Sequence, residues 1–265
     1  MKKKHLILAS ALLFGGPVVI ATGVTAASNA VNISSDGSGA ALRCPGGMVR
    51  LSHKLTTDAP IFPGDPVPSI EINNTIAADG FLVEKVTFGT HTGTHLSAPG
   101  HFIEGATTVD NLPASSFVFP AYVIDLRDRT AANPDFQLSV ADVKAYERQV
   151  GSIPKGALVI LYTGFQTRWP GATYADTAPG ISAAAVNWLF SSRRIKGVGS
   201  DTFGPDASSD TTFAASTAVF TNGGVTLENM AGLDQLHKRG DIVMAPTVRL
   251  VNGSGYQNDP LGCLR

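Results

Sequence analysis

Three histidines fall within eleven residues: His91-Thr92-Gly93-Thr94-His95-Leu96-Ser97-Ala98-Pro99-Gly100-His101. The whole chain has six histidines, so half of them sit in this segment. Neutral imidazole is a common metal ligand, and it is also the side chain that gains and loses a proton near neutral pH. The spacing, i, i+4 and i+10, is interrupted by glycine and proline, which favours a loop over a helix. A loop can turn several side chains towards one centre. The plainer alternative is a turn whose histidines are merely hydrogen-bonded. Aromatic side chains could wall a pocket beside such a centre. Trp169 lies between Arg168 and Pro170-Gly171, a loop context, and Phe203 is a second candidate wall, although an aromatic is more often core than substrate wall. His53 is read as a histidine that stabilises a turn. Ser97 has histidines nearby but lacks the Gly-x-Ser-x-Gly context of a nucleophilic serine.

The elements that must position these residues are legible in outline. Phe81 to Thr90 alternates apolar and polar residues, as a half-buried strand does. Tyr122–Leu126, Ala157–Tyr162, Ile195–Gly199 and Ile242–Met244 are short apolar runs expected to be buried strands. Ser139 is placed to cap a helix running to Val150, with Asp142 at the third position. Ser182 caps a second over Ala183–Arg194, with arginines at its C-terminal end. Leu227–Lys238 is a third candidate helix. Strands alternate with helices after residue 120, so a single α/β domain with a mixed sheet is expected over residues 49–265.

The ends of the chain carry different information. Lys2, Lys3 and Lys4 precede an apolar stretch from Leu6 to about Val24, and Ser28-Asn29-Ala30 fits a small-x-small cleavage site. Residues 1–30 therefore read as a secretory signal, with an uncleaved membrane anchor as the alternative. Cleavage would remove three lysines and take the net charge from −1 to −4. That balance gives no reason to expect a nucleic-acid partner. Residues 31–48 read as a flexible, Gly/Ser-rich segment. Cys44 and Cys263 are the only cysteines. In an extracytoplasmic compartment they can form a disulfide that ties the ends of the mature chain together; two free thiols are the alternative. Two cysteines so far apart do not build a Cys-based zinc site.

The segment His91–Phe102 resembles the His-x-Gly-Thr-His-x-Asp-x-Pro-x-His-Phe signature of the metal-dependent cyclase family, which includes bacterial kynurenine formamidases (arylformamidases) and isatin hydrolases. Supporting segments occur in the same order: Leu51-Ser52-His53, Pro63-Gly64-Asp65, Gly199-Ser200-Asp201-Thr202 and Leu227-Glu228-Asn229. The resemblance spans about Val49 to Gly255. It implies a swivelling β/β/α fold, often dimeric, one or two divalent ions (zinc or manganese), and hydrolysis of an amide or lactam attached to an aromatic ring. By motif position His91, His95 and Glu228 match metal ligands, and His101 matches the ligand or proton-transfer histidine.

Two positions depart from the pattern. Ser97 stands where the motif has Asp, and Ser216 stands where the family has a metal-binding His twelve residues before the matched Glu. A serine hydroxyl is neutral and a poor ligand, so a binuclear centre is not expected, and any ion would be mononuclear. Two functions follow as expectations. One is a secreted metal-dependent hydrolase of a small amide, lactam or lactone, cutting C–N bonds other than peptide bonds. The other is a family member that has lost catalysis and binds a small molecule or protein partner.

Overall fold

The computed structural model describes residues 43–265. The expected signal, residues 1–30, and most of the segment 31–48 lie outside the described residues. Residues 43–48 are not a mobile leader. Cys44 is buried and bonded to Cys263, and the first strand begins at Met48.

Among the described residues thirteen strands form three sheets. In chain order they are β1 (Met48–Arg50), β2 (Ser69–Asn74), β3 (Val83–Thr87), β4 (His95–Ser97), β5 (Val118–Asp125), β6 (Gln137–Leu138), β7 (Leu158–Tyr162), β8 (Gly180–Ile181), β9 (Gly197–Ser200), β10 (Val225–Glu228), β11 (Arg239–Met244), β12 (Gly255–Gln257) and β13 (Leu261–Cys263). Nine of them make one mixed sheet, in the order β1-β13-β11-β5-β7-β9-β10-β4-β12. Its centre, β5-β7-β9-β10, is parallel, and both flanks are antiparallel. Parallel strands are buried on both faces, and β7, Leu-Val-Ile-Leu-Tyr, is buried at every position. Strands β2 and β3 form a separate hairpin, and β6 pairs with β8.

Five α-helices lie among the described residues: α1 (Ile76–Asp79), α2 (Arg127–Ala132), α3 (Val140–Val150), α4 (Ala183–Trp188) and α5 (Ala214–Thr221). Ser139 and Asp142 form the expected reciprocal cap on α3. Ser182 caps α4, which passes into a wider turn over Leu189–Arg193. Helices α3, α4 and α5 cover one sheet face, where Val143, Val186, Leu189 and Val219 join Val159 and Leu161 in one core. Leu51, Leu96, Phe119, Leu158 and Leu227 build a second core. The α/β fold with a mixed sheet is as expected.

One expected element is different. Leu227–Lys238 is not a helix: Leu227 and Glu228 end β10, and only a single turn, Leu233–Gln235, follows. Its apolar residues are divided between a strand and a turn, each packing separately on the second core, and short apolar runs do not distinguish helix from strand.

Candidate active site

The register of three short strands builds the site. β4 lies between β10 and β12, with His95 opposite Glu228 and Ser97 opposite both Thr226 and Gly255. Directly paired residues project from the same sheet face, as do residues two apart on one strand. His95, Ser97, Thr226 and Glu228 therefore share one face as a polar square. Leu96 and Leu227, between them, turn to the other face and are fully buried in the second core. His91 precedes β4 and folds back over β12, where Gly255 leaves room for it: a Cβ there would stand 2.6 Å from His91 Cε1. His101 follows β4 in the turn Pro99–His101, and its ring stacks on His91 with centroids 3.8 Å apart. The three histidines and Glu228 line one cavity, as the motif implies.

The hydrogen bonds have a direction. Ser97 and Thr226 hydroxyls both donate to Glu228 Oε1. The Ser97 oxygen is thereby free to accept from His91 Nδ1 at 3.1 Å, which leaves His91 Nε2 to accept the Ser254 hydroxyl at 2.8 Å. His95 Nδ1 donates to the Gly93 carbonyl at 2.8 Å, and His95 Nε2 faces Glu228 Oε2 at 3.3 Å. The latter two groups approach without the alignment of a good hydrogen bond, so His95 Nε2 is buried without a partner.

Electrostatics divide the histidines. Burial opposes charge on His95, but the Glu228 carboxylate and the Gly93 carbonyl outweigh it and raise its pKa. Burial likewise opposes charge on Glu228. His95 and the Thr226 hydroxyl outweigh it, and Glu228 stays below the usual carboxylate range. His91 is pushed down to about 3 by burial and then by its two histidine neighbours. Burial also lowers His101, so it is neutral at pH 7 and able to accept a proton.

The donor set fits a metal at two points. A separation of 3.3 Å matches two ligands that share a tetrahedral ion at ~2.0–2.1 Å. A lone pair on His95 Nε2, fixed by the bond from Nδ1–H to a backbone carbonyl, is the usual presentation of a ligating histidine. The wider cage is not assembled. Both His91 nitrogens are occupied by serine hydroxyls, and the Ser216 hydroxyl is turned to Asp206, whose carboxylate also takes the Ala215 and Ser216 N–H groups. Among the described residues no three His, Cys, Asp or Glu side chains are arranged to hold an ion.

The cavity has a volume of about 480 Å³, and Phe62, Phe102, Phe203 and Phe213 give it aromatic walls. Phe203 is thus where a substrate wall was expected. Trp169 is not: it stacks on His53 at 4.5 Å and meets Tyr174 edge-on at 5.1 Å, one layer behind the cavity. Tyr174 fills the intervening space and meets Phe203 edge-on. His53 points to this aromatic layer, and its backbone N–H donates to the Thr94 hydroxyl. Ser254 was not found by reading the sequence. It is 163 positions from His91, and no local pattern marks it.

A mixed α/β sheet thus carries an imidazole–carboxylate cluster at the base of an aromatic-walled cavity. Residues 49–207 match the family described as putative cyclase, and the chain belongs to the Cyclase family. The isatin hydrolase of Roseibium aggregatum is 30% identical over 207 residues, covering 71% of this chain and 78% of that protein. The kynurenine formamidase of Geobacillus thermodenitrificans is 29% identical over 142 residues, covering 53% and 62%. Among solved structures, isatin hydrolase A from Labrenzia aggregata bound to benzyl benzoate superposes with a TM-score of 0.77 at 30% identity, covering 82% of this chain and 93% of that one. By name these relatives are a hydrolase of isatin and a formamidase of kynurenine.

Proposed function

We propose that this protein is an exported hydrolase of a small cyclic or linear amide, lactam or lactone joined to an aromatic ring. One observation carries the reading: Glu228 meets the histidine loop inside an aromatic-walled cavity. The aryl ring would lie among Phe62, Phe102, Phe203 and Phe213, with its carbonyl towards His95. His101, neutral at pH 7, accepts a proton from the attacking water on a ring nitrogen and returns it to the leaving nitrogen. Glu228 offsets the positive charge that builds up beside it, and the Gly93 carbonyl holds the His95 ring. A divalent ion, zinc or manganese, would be held by His95 Nε2 and Glu228, and what it supplies when bound is Lewis acidity. The test is turnover of isatin and N-formylkynurenine by the purified full chain, with and without added zinc or manganese, alongside metal analysis. Opening of isatin or release of formate supports the reading, and inertness towards both under every condition overturns it.

The capping of both His91 nitrogens favours a second reading, a family member that binds without turnover. The two serines separate these cases. Placing a carboxylate beside Glu228 by Ser97→Asp, together with Ser216→His, puts two like charges near each other that only a cation relieves. The double variant is expected to bind zinc roughly 10²-fold more tightly than the parent in a calorimetric titration. No gain would show that these positions do not converge on one ion.

The export assignment is supported by the Cys44–Cys263 disulfide, since such bonds persist in oxidising compartments. No helix among the described residues is long and apolar enough to cross a membrane. We further propose a homodimer joined through the β2–β3 hairpin. The hairpin stands apart from the main sheet and exposes Ile70, Ile72, Phe81, Leu82 and Val86. A two-stranded ribbon is marginal in water unless it packs on something, and a twofold axis lets one self-complementary patch cover its own copy. Sedimentation is expected to show a dimer that Ile72→Lys with Val86→Lys turns into monomer. A monomeric parent at micromolar concentration would remove the proposal.

A further inference from the structure

Asn229 follows Glu228 in a conformation that few side chains adopt. Its φ is +52°, in the left-handed region, and the residue is completely buried. Glycine holds this backbone with least strain, and asparagine is among the few side chains that also tolerate it, so what the amide does there rests on its own contacts. Its side chain has two well-aligned partners. Nδ2 donates to the Gly93 carbonyl at 2.9 Å, and Oδ1 accepts the Tyr174 hydroxyl at 2.8 Å, whose single proton is shared with the Asp201 carbonyl at 2.9 Å. The Gly93 carbonyl is the same group that takes the proton of His95 Nδ1. The backbone of Asn229 is held as well: its carbonyl accepts the Thr94 hydroxyl at 2.6 Å, and its N–H donates to the Thr202 carbonyl at 2.8 Å.

Two donors thus converge on one carbonyl oxygen, one from His95 and one from Asn229. A carbonyl oxygen has two lone pairs, and both are used here. Gly93 itself has φ +71° and no side chain to steady it, and it is the last residue but one before His95. Without the Asn229 amide, the Gly93 peptide could rotate and take its acceptor away from His95.

We infer that Asn229 is a positioning residue: its amide pins the Gly93 carbonyl, which fixes the His95 ring with Nδ1 protonated and Nε2 directed at Glu228, and Tyr174 braces the amide from behind. Asn229 does not line the cavity, so it acts through His95 and not on the substrate. The inference rests on the hydrolase reading for its purpose, but its structural content stands independently. Buried hydrogen-bond supports of this kind set ring orientation and tautomer, and losing one costs about 10–100-fold in activity.

The decisive variant is Asn229→Gly in the full chain, which keeps the left-handed backbone and removes only the amide. In imidazole ¹⁵N–¹H spectra the parent should show a slowly exchanging His95 Nδ1–H. In Asn229→Gly that signal should be lost to exchange, while the protein still folds and its melting temperature falls by a few degrees. With isatin as the probe, kcat should fall about 10–100-fold with KM within about twofold. Tyr174→Phe, which deletes the bracing hydroxyl alone, should shift the same resonance in the same direction by less. An unchanged Nδ1–H signal in Asn229→Gly overturns the inference. Should Asn229→Gly fail to fold, an unchanged signal in Tyr174→Phe does so. If the parent does not act on isatin, the hydrolase reading is what fails, and the spectra still decide the role of Asn229.

Discussion

Glu228→Gln should fold almost normally and lose about 10²–10⁴-fold in kcat/KM on any substrate the parent turns over. The amide has the shape of the carboxylate it replaces. Its oxygen can still accept from Ser97 and Thr226, and its NH₂ can donate to the lone pair of a neutral His95 Nε2. No buried polar group is stranded, so the melting temperature should move by only a few degrees. What disappears is the negative charge. His95 then loses the partner that holds its pKa up against burial, and any cation loses its only anionic donor among the two positioned ones. Preorganised charge at the reacting centre is commonly the largest single contribution to catalysis, and removing one such group costs a factor of this order. Glu228→Ala is the contrasting change. It strands the buried Ser97 and Thr226 hydroxyls that the carboxylate accepts, which costs about 1–3 kcal/mol each in stability and confuses the two effects. Parent-like turnover by a folded Glu228→Gln would show that the carboxylate is idle and would remove it from the mechanism.

The second large effect concerns stability alone. Cys44→Ala with Cys263→Ala should destabilise the domain by about 5 kcal/mol and lower its melting temperature by roughly 10–20 °C. The bridge spans 219 positions, so it restricts nearly the whole unfolded chain, and the chain-entropy account gives its largest values for long loops. Activity at 25 °C should be unaffected. The bridge fastens β1 to β13 at one margin of the nine-stranded sheet, whereas β4 and β10 lie near the other. Calorimetry and a turnover assay on the same preparation separate the two quantities. A melting point within about 3 °C of the parent would mean that the unfolded chain is already compact, or that the bond is strained.

Elements whose causes are local could be read directly. The Ser139–Asp142 cap needs only residues three apart, and both side chains are where the spacing placed them. The buried run Leu158–Tyr162 could hardly be anything except a central strand once helices flanked it. Helix α5 was missed for the converse reason. Its N-cap position is Phe213, and its first N–H groups go to Asp210, four residues upstream, and to Asp206, nine and ten residues away. Trp169 looked like a pocket residue from its loop context. Only the packed structure shows Tyr174 standing between it and the cavity.

By itself the sequence determined the family, the α/β class, the clustering of His91, His95 and His101, and the two serines that depart from the metal-binding pattern. Each of these is carried by residue type and short-range spacing. Tertiary structure decided which atoms of those residues remain free. The β4–β10–β12 register sets Glu228 against His95, and Ser254 arrives from the far end of the chain to occupy His91. Hydrogen-bond direction and strand register are relations between segments distant in the chain. A side chain's availability for chemistry depends on its neighbours in space, and those neighbours exist only once the sheet has closed.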